Sequence, residues 1–121
     1  MRVISKSRLR QFWKTPNRQD SEGPLRAWHT HVSDRSVAWR NWSDTKATFR
    51  TADLVGNCAV FNIGGNKYRL VCRILYSSQK VFVLKVMTHQ EYDQEKWKTD
   101  CGCFASAPKK PVKKGQGREG T

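Results

Sequence analysis

The chain has 121 residues, and its 23 Lys and Arg outnumber 10 Asp and Glu to give a formal net charge of +13. This length allows one modest hydrophobic core, and the charge favours a polyanion, nucleic acid first, as the partner. No run of about 20 apolar residues and no apolar leader is found, so we expect neither a membrane span nor a signal peptide and predict a cytoplasmic protein.

The first half of the chain predicts helices. After a short edge strand over residues 1–4, Ser5 is expected to cap a helix over residues 6–14. Pro24 is expected to open a second helix that reaches about Val32. Each helix carries an apolar stripe at helical spacing. The stripes consist of Leu9, Phe12 and Trp13 in the first helix and Leu25, Trp28 and Val32 in the second.

The pattern between residues 33 and 57 is weaker. Trp39 and Trp42 suggest a short helical turn, and Asp44 or Thr45 can start another one.

The second half of the chain predicts a meander of strands. Three segments rich in Val, Ile, Leu, Phe and Tyr are separated by turn residues; they are residues 58–63, 66–76 and 80–87. A short helix should follow, with Thr88 as its N-cap and Glu91 as its capping-box partner. We therefore predict an α+β fold in which the N-terminal helices pack on one face of a small antiparallel sheet and a short helix ends the domain.

The domain is expected to span residues 1–104. Residues 105–121 combine Pro, Gly and Lys with almost no apolar side chains, so we predict a basic, disordered tail. Removing the five Lys and Arg and the one Glu of this tail still leaves a net charge of +9 on the domain. The positive charge is therefore not a property of the tail alone.

Hairpin register predicts which strand residues share a face. A two-residue turn at Gly64-Gly65 would pair Phe61 with Tyr68. The apolar face would then continue through Leu70, and the opposite face would be polar and cationic. The members of the opposite face would be Asn62, Lys67, Arg69, Val71 and Arg73.

The second hairpin decides where Lys85 points. A two-residue loop would bury its ammonium group, which is costly. A three-residue loop over residues 77–79 instead pairs Lys85 with Val71 and places Phe82, Leu84 and Val86 in the core. Because side chains alternate along a strand, Met87 and His89 should point to the same polar and cationic face as Lys85.

This face has two interpretations. Antiparallel sheets commonly have one solvated polar face, but such faces usually mix both signs of charge. No Asp or Glu occurs between Asp53 and Glu91, whereas Lys and Arg recur. This asymmetry favours an anion-binding face.

The four cysteines do not form a zinc pattern. They have no CxxC pair and no neighbouring histidine, and the Cys101-Gly102-Cys103 segment supplies only two of four ligands. We interpret them as structural or incidental thiols and predict no metal site and no cofactor.

Residues 60–93 carry the marks of a known family. The Gly-Gly-Asn hairpin, the Tyr-Arg-Leu-Val strand and the Met-Thr-His-x-Glu-Tyr-Asp ending closely resemble the HigB-type toxins of the RelE superfamily. The resemblance implies a RelE-like fold and a metal-independent endoribonuclease that cleaves mRNA in the ribosomal A site. It also implies a HigA-type antitoxin with a helix-turn-helix domain as partner. Basic residues in the loops would contact ribosomal RNA through their charge.

The resemblance also suggests roles for individual residues. The strand arginine of the family corresponds to Arg69, its catalytic residue at the end of the sheet to His89, and the nearby aromatic residue to Tyr92. His89 can exchange a proton near neutral pH, and Arg69 can hold two phosphate oxygens. Tyr92 can donate its phenolic proton or stack on a base. Lys85 would help the transition state or hold a flanking phosphate.

Four further residues are predicted RNA contacts. These are Asn62, Asn66, Lys67 and Arg73, although Asn62 can equally brace the hairpin. The main alternative is a noncatalytic RNA- or DNA-binding module of the same fold. Such a module would equally need the net positive charge and the cationic sheet face.

Overall fold

The computed structural model describes residues 1–104, so the tail predicted over residues 105–121 lies outside the described residues. The described chain is α+β, as predicted. Its elements in chain order are β1 (Arg2–Ile4), α1 (Lys6–Trp13), α2 (Glu22–Ser33), α3 (Trp42–Thr48), β2 (Asp53–Val55), β3 (Cys58–Ile63), β4 (Tyr68–Leu75), β5 (Lys80–Thr88), α4 (His89–Asp93) and α5 (Trp97–Asp100), with a 3₁₀ turn at Gln19–Ser21 before α2.

The five strands form one sheet in the order β1-β5-β4-β3-β2. The prediction of a purely antiparallel sheet is wrong, because β1 pairs with β5 in parallel. Three helices and three strands separate β1 from β5 along the chain, which supplies the long crossover that a parallel pair requires. Strand β2, which the sequence did not predict, adds the opposite edge by pairing with β3.

The N-terminal helices occur where periodicity predicts them, but their starts differ. Ser5 precedes α1 with a φ of 70° and makes no side-chain capping bond. Helix α2 begins at Glu22, two residues before the predicted start, and Pro24 is tolerated in its first turn because no intrahelical acceptor exists there for an N–H group. Asn41 caps α3 by accepting a hydrogen bond from the Asp44 backbone N–H at 3.0 Å.

The helices cover one face of the sheet. On this helix-covered face the strands contribute the buried side chains of Ala59, Phe61, Ile63, Tyr68, Leu70, Cys72, Val81 and Val83, which join both helical stripes in a single cluster. Trp13 and Trp28 belong to this core, as their positions on the stripes predict.

The first hairpin has a longer turn than predicted. Ile63 pairs with Tyr68, so residues 64–67 form a four-residue loop rather than a two-residue turn. Gly64 and Gly65 have φ values of 62° and 70°, which glycine adopts without steric cost. Because the loop is longer by an even number of residues, every strand side chain keeps its predicted face.

The second hairpin corrects the core assignment of β5. Leu75 pairs with Lys80, so the loop has four residues rather than three, and a bulge lies next to Val71 and Cys72. Val71 still pairs with Lys85 as predicted, because the bulge compensates for the longer loop. From the bulge toward Lys80, the side chains of β5 point to the face opposite to the one predicted. Val81 and Val83 are buried there, whereas Phe82 and Leu84 are only partly buried.

The opposite face, which we call the cationic face, is not simply solvated. It carries Arg69, Arg73 and Lys85, but a second apolar cluster lies beside them. The buried members of this cluster are Cys58, Val60, Val71, Met87, Trp97 and Cys103. Residues 97–104 thus cover part of a face that the sequence patterns left open.

A disulfide joins Cys58 to Cys103 across this cluster. The interpretation of all four cysteines as thiols is therefore wrong for these two, because the fold brings together residues that lie 45 positions apart. Cys72 and Cys101 are free thiols. Burial raises the pKa of the Cys72 thiol well above its ordinary value.

Candidate functional site

Arg69 lies at the centre of the cationic face. It pairs with Asn62 on β3 and with Met87 on β5, and it is only 7% exposed. None of the ion pairs formed within residues 1–104 includes Arg69. A buried guanidinium without a carboxylate partner keeps its full charge in a poorly solvated place, and an anion is the natural complement to it.

The turn before β4 orients this guanidinium. Its Nη1 donates to the carbonyl oxygens of Asn66 at 3.1 Å and Tyr68 at 3.2 Å, and its Nη2 donates to Asn66 Oδ1 at 2.5 Å. Asn66, predicted as an RNA contact, thus has its side-chain oxygen engaged by Arg69. The hydrogen bonds fix the plane of the guanidinium fork.

Tyr92 lies against Arg69. The Cζ atom of Arg69 is 5.1 Å from the centroid of the Tyr92 ring, a cation–π contact. The same ring stacks on Trp97, with centroids 5.1 Å apart and planes inclined by 16°. The structure therefore places the predicted site residues Arg69 and Tyr92 in contact and adds Trp97, which the sequence did not indicate. The Tyr92 ring already has two packing partners.

His89 begins α4, and the capping box holds this start. The Thr88 side chain accepts from the Glu91 backbone N–H, and the Glu91 carboxylate accepts from the Thr88 backbone N–H at 2.9 Å, which confirms the predicted cap. The His89 backbone N–H donates to the carbonyl of Lys67 at 3.3 Å. The imidazole is 47% exposed, with Nε2 3.7 Å from an Asp93 carboxylate oxygen. This side chain is accessible to a substrate.

Lys85 and Arg73 lie on the same face toward the hairpin end. Lys85 pairs with Val71, and its Nζ lies 3.8 Å from Asp100 Oδ2. Asp100 belongs to the C-terminal segment, so this segment partly neutralises the cationic face. Arg73 pairs with Phe82 and is half-buried.

Lys67 lies in the hairpin loop and reaches the helix layer. Its Nζ forms an ion pair with Asp20, which also accepts a hydrogen bond from the Tyr68 hydroxyl at 2.5 Å. The hydrogen bond from Lys67 is the main cause of a lowered pKa of Asp20, and the bond from Tyr68 adds to it. Asp20 in turn raises the pKa of Lys67. Lys67 is therefore already engaged by a carboxylate.

Three residues that matter here were missed by sequence reasoning. Trp97 lies outside the apolar stripes and strands that the sequence predicts, and Asp20 and Asp100 lie far along the chain from the lysines they meet. The only sequence signal for the C-terminal segment is the Cys101-Gly102-Cys103 pair, which supplies too few ligands for a zinc site and was interpreted as thiols. Within residues 1–104 no group of three or more His, Cys, Asp or Glu side chains could hold a metal ion.

The structure thus places a fixed, buried guanidinium against the Tyr92 ring, and the accessible imidazole of His89 follows the neighbouring strand β5 at the start of α4. A cation, a proton donor and a proton acceptor are the groups that phosphoryl chemistry on RNA requires. In the part of the chain that the structure describes, no helix is long and apolar enough to cross a membrane.

Comparisons with known proteins agree with the resemblance stated from the sequence. A family model described as HigB_toxin, RelE-like toxic component of a toxin-antitoxin system, matches residues 21–95. Over 34 residues the chain is 53% identical to the mRNA interferase toxin HigB of Escherichia coli K12, and equally to the mRNA interferase HigB of Shigella flexneri. The match covers 28% of this chain and 33% of each relative, so the chain spans about a third of the length of the curated relatives that it matches.

Proposed function

Since the chain belongs to the HigB family of RelE-like toxins, the toxic components of toxin-antitoxin systems, we propose that it is an endoribonuclease that cleaves mRNA on the ribosome. The observation that carries the proposal is the buried guanidinium of Arg69, which has no carboxylate partner within residues 1–104 and lies against Tyr92. The printed name of the relatives, mRNA interferase, supports the same chemistry.

In the proposed reaction the 2′-hydroxyl of the RNA attacks the adjacent phosphorus. The 2′-oxygen loses its proton, the bond to the 5′-oxygen breaks, and that oxygen gains a proton, which leaves a cyclic phosphate and a new 5′-hydroxyl end. His89 accepts the proton from the 2′-hydroxyl, a contribution of about 10²- to 10⁴-fold in rate. Tyr92, whose ring contacts Arg69 and Trp97, donates its phenolic proton to the departing 5′-oxygen, and proton exchange with water restores both side chains.

Arg69 neutralises the charge that develops on the nonbridging oxygens, where a preorganised donor stabilises the transition state most strongly. Lys85 and Arg73 hold the flanking phosphates, and Asn62 contacts the RNA or braces the hairpin. Asn66 acts through Arg69, which it orients. These side chains supply the proton transfers and the charge neutralisation without a cofactor.

The partners follow from the same proposal. The substrate is mRNA in the ribosomal A site, and the excess of Lys and Arg over the whole chain favours contacts with ribosomal RNA. A HigA-type antitoxin with a helix-turn-helix domain would neutralise the toxin in the cytoplasm. The domain that acts is the RelE-like unit of residues 1–104.

The test is to express the protein under a tight promoter and to map the 5′ ends of cellular mRNA after induction. We expect growth arrest and new 5′ ends within translated reading frames. His89→Ala should abolish both while His29→Ala, a control for loss of a helical imidazole away from the site, should retain them.

A noncatalytic binding module would give a different result. It would slow growth without creating new mRNA ends, and His89→Ala would then leave the growth defect unchanged. That outcome would end the nuclease proposal and leave the RNA-binding alternative.

A further inference from the structure

Trp97 lies beyond the residues that the family model matches, which end at residue 95. It is nevertheless 2% exposed and contacts Tyr92 in two ways. The two rings stack, and the Trp97 indole N–H donates to the Tyr92 carbonyl oxygen at 2.9 Å. One residue thus restrains both the ring and the backbone of Tyr92.

The surroundings of Trp97 hold it in place. Its side chain packs in the second apolar cluster with Val71 and Met87, which lie on the two central strands. The segment that follows is tied to β3 by the Cys58–Cys103 disulfide. The Cys103 carbonyl also accepts from the Asn57 backbone N–H at 2.6 Å.

The turn before β3 is shaped to receive this segment. Gly56 has a φ of 56°, and a Cβ atom at this position would lie 2.1 Å from the Cys103 carbonyl oxygen. Any other residue would clash there, so a glycine is required for the C-terminal segment to dock. The anchoring of Trp97 is therefore built into the β2–β3 turn.

Tyr92 needs such a support. It lies in α4, a helix of only five residues with no fully buried side chain, and a helix this short is not stable by itself. The contact between the Tyr92 ring and the Arg69 guanidinium would vary if α4 were held by its capping box alone. Trp97 connects α4 to the sheet that carries Arg69.

We propose that Trp97 is a positioning residue for the reaction, which holds the Tyr92 ring against the Arg69 guanidinium. This inference rests on the proposed ribonuclease function. It assigns a role in the reaction to a segment outside the matched family region, and it accounts for the disulfide as the anchor of that segment.

The test is a double-mutant cycle on cleavage of mRNA bound to purified, programmed ribosomes. Trp97→Leu keeps an apolar side chain in the cluster, although a smaller one, and removes the stacking ring and the N–H donor. We expect its kcat to fall by about 10²-fold, the cost of a misplacement of about 1 Å in an active site, with KM little changed. Trp97→Phe, which retains a ring, should recover most of the loss.

The decisive comparison uses a Tyr92→Ala background. If Trp97 acts through Tyr92, adding Trp97→Leu to Tyr92→Ala causes no further loss of kcat, because residues that act as a unit are not additive. Phe104→Ala is the matched control, since Phe104 is an aromatic residue on the same segment but is 69% exposed. It should leave kcat unchanged.

Two results would overturn the positioning role. One is a folded Trp97→Leu protein, verified by circular dichroism, with the kcat of the wild type. The other is a loss from Trp97→Leu that is equally large with and without Tyr92, which indicates a purely structural effect. A wild-type protein that cleaves no mRNA refutes the proposed function itself and the positioning role with it, whereas either of the first two results leaves the nuclease intact.

Discussion

The two faces of the sheet are built on different principles. The helix-covered face buries aliphatic and aromatic side chains against α1 and α2 in one continuous cluster. The cationic face places a small apolar cluster beside Arg69 and Lys85 and covers it with residues 97–104. Apolar neighbours reduce the solvation of a nearby cation and strengthen its attraction for an anion. We infer that one face mainly supplies stability and the other mainly supplies chemistry.

Among the residues of the sheet, Arg69→Lys is expected to affect the chemistry most. The variant keeps the charge but loses the planar fork that Asn66 orients. We expect cleavage of ribosome-bound mRNA to fall by about 10²- to 10³-fold, the range observed when one donor to a developing charge is removed. Single-turnover cleavage rates measure this directly.

Arg73→Lys provides the matched control for this prediction. Arg73 lies on the same face and the same strand, but it pairs with Phe82 at the hairpin end. Replacing its guanidinium with an ammonium group should weaken RNA affinity slightly and leave the cleavage rate at saturating substrate unchanged. Equal losses in the two variants would show that the effect is not specific to the fixed guanidinium of Arg69, whereas a wild-type rate in Arg69→Lys would show that positive charge alone suffices.

Phe61→Ala tests the helix-covered face. Phe61 is 1% exposed, and its ring centroid lies 5.4 Å from that of Trp28 and 5.1 Å from that of Phe49. We expect the free energy of unfolding to fall by about 3–5 kcal/mol, the usual cost of truncating a buried phenylalanine. Urea denaturation measures this loss. The cleavage rate per folded molecule should stay near that of the wild type, and a selective loss of rate would contradict the division between the faces.

The disulfide tests the other face. Replacing Cys58 and Cys103 together by serine should lower the free energy of unfolding by about 2–4 kcal/mol, because the bond closes a long loop in the unfolded chain. A reducing agent should destabilise the wild type by a similar amount and leave the double variant unaffected. Equilibrium denaturation with and without a dithiol checks both statements.

Cys101→Ser is the control for the disulfide variant. Cys101 is a free, half-buried thiol two residues from Cys103, and partial burial keeps its pKa above the ordinary value although Lys85 acts in the opposite direction. Its replacement should change stability little. A large loss from this single change would mean that the thiol packing, and not the covalent bond, holds the segment.

The helical stripes and the β3–β4 part of the helix-covered face could be predicted from sequence because their signals are local, whereas the bulge in β5 made the predicted core residues of that strand wrong. The stripe of Leu25, Trp28 and Val32 follows helical spacing, and the alternation along β4 decides which residues accompany Leu70. The loop at Gly64-Gly65 is two residues longer than predicted, and because this difference is even, the side chains of β3 and β4 keep their predicted faces. The family resemblance rests on the contiguous residues 60–93 and is confirmed by the match to residues 21–95.

The cationic face depends on contacts that no local pattern encodes. The bulge, in which Leu84 is the extra residue, reverses the faces to which half of the β5 side chains point. The Cys58–Cys103 bond joins positions 45 residues apart. The pairing of Lys85 with Asp100 likewise requires the C-terminal segment to fold back over the sheet. Sequence patterns placed Arg69 and Lys85 on one face but gave no means of predicting what covers that face.

The smallest predicted effect concerns the ion pair between Asp20 and Lys67, which connects the helix layer to the hairpin loop. Asp20→Asn keeps the shape and one acceptor oxygen but removes the charge, so we expect a small loss of stability at neutral pH. The lowered pKa of Asp20 means that its contribution is complete above the ordinary value of 3.8 and is lost as the pH falls through the folded-state pKa. The raised pKa of Lys67 means that the contribution is also complete below pH 10.5 and is lost as the pH rises through the folded-state value.

Thermal denaturation of the wild type and of Asp20→Asn across pH measures this contribution. The difference in stability between the two proteins should stay constant between these limits and disappear at either extreme. A gap that persists in strong acid would show that the introduced amide disturbs packing, and that the loss of stability does not come from the broken ion pair with Lys67.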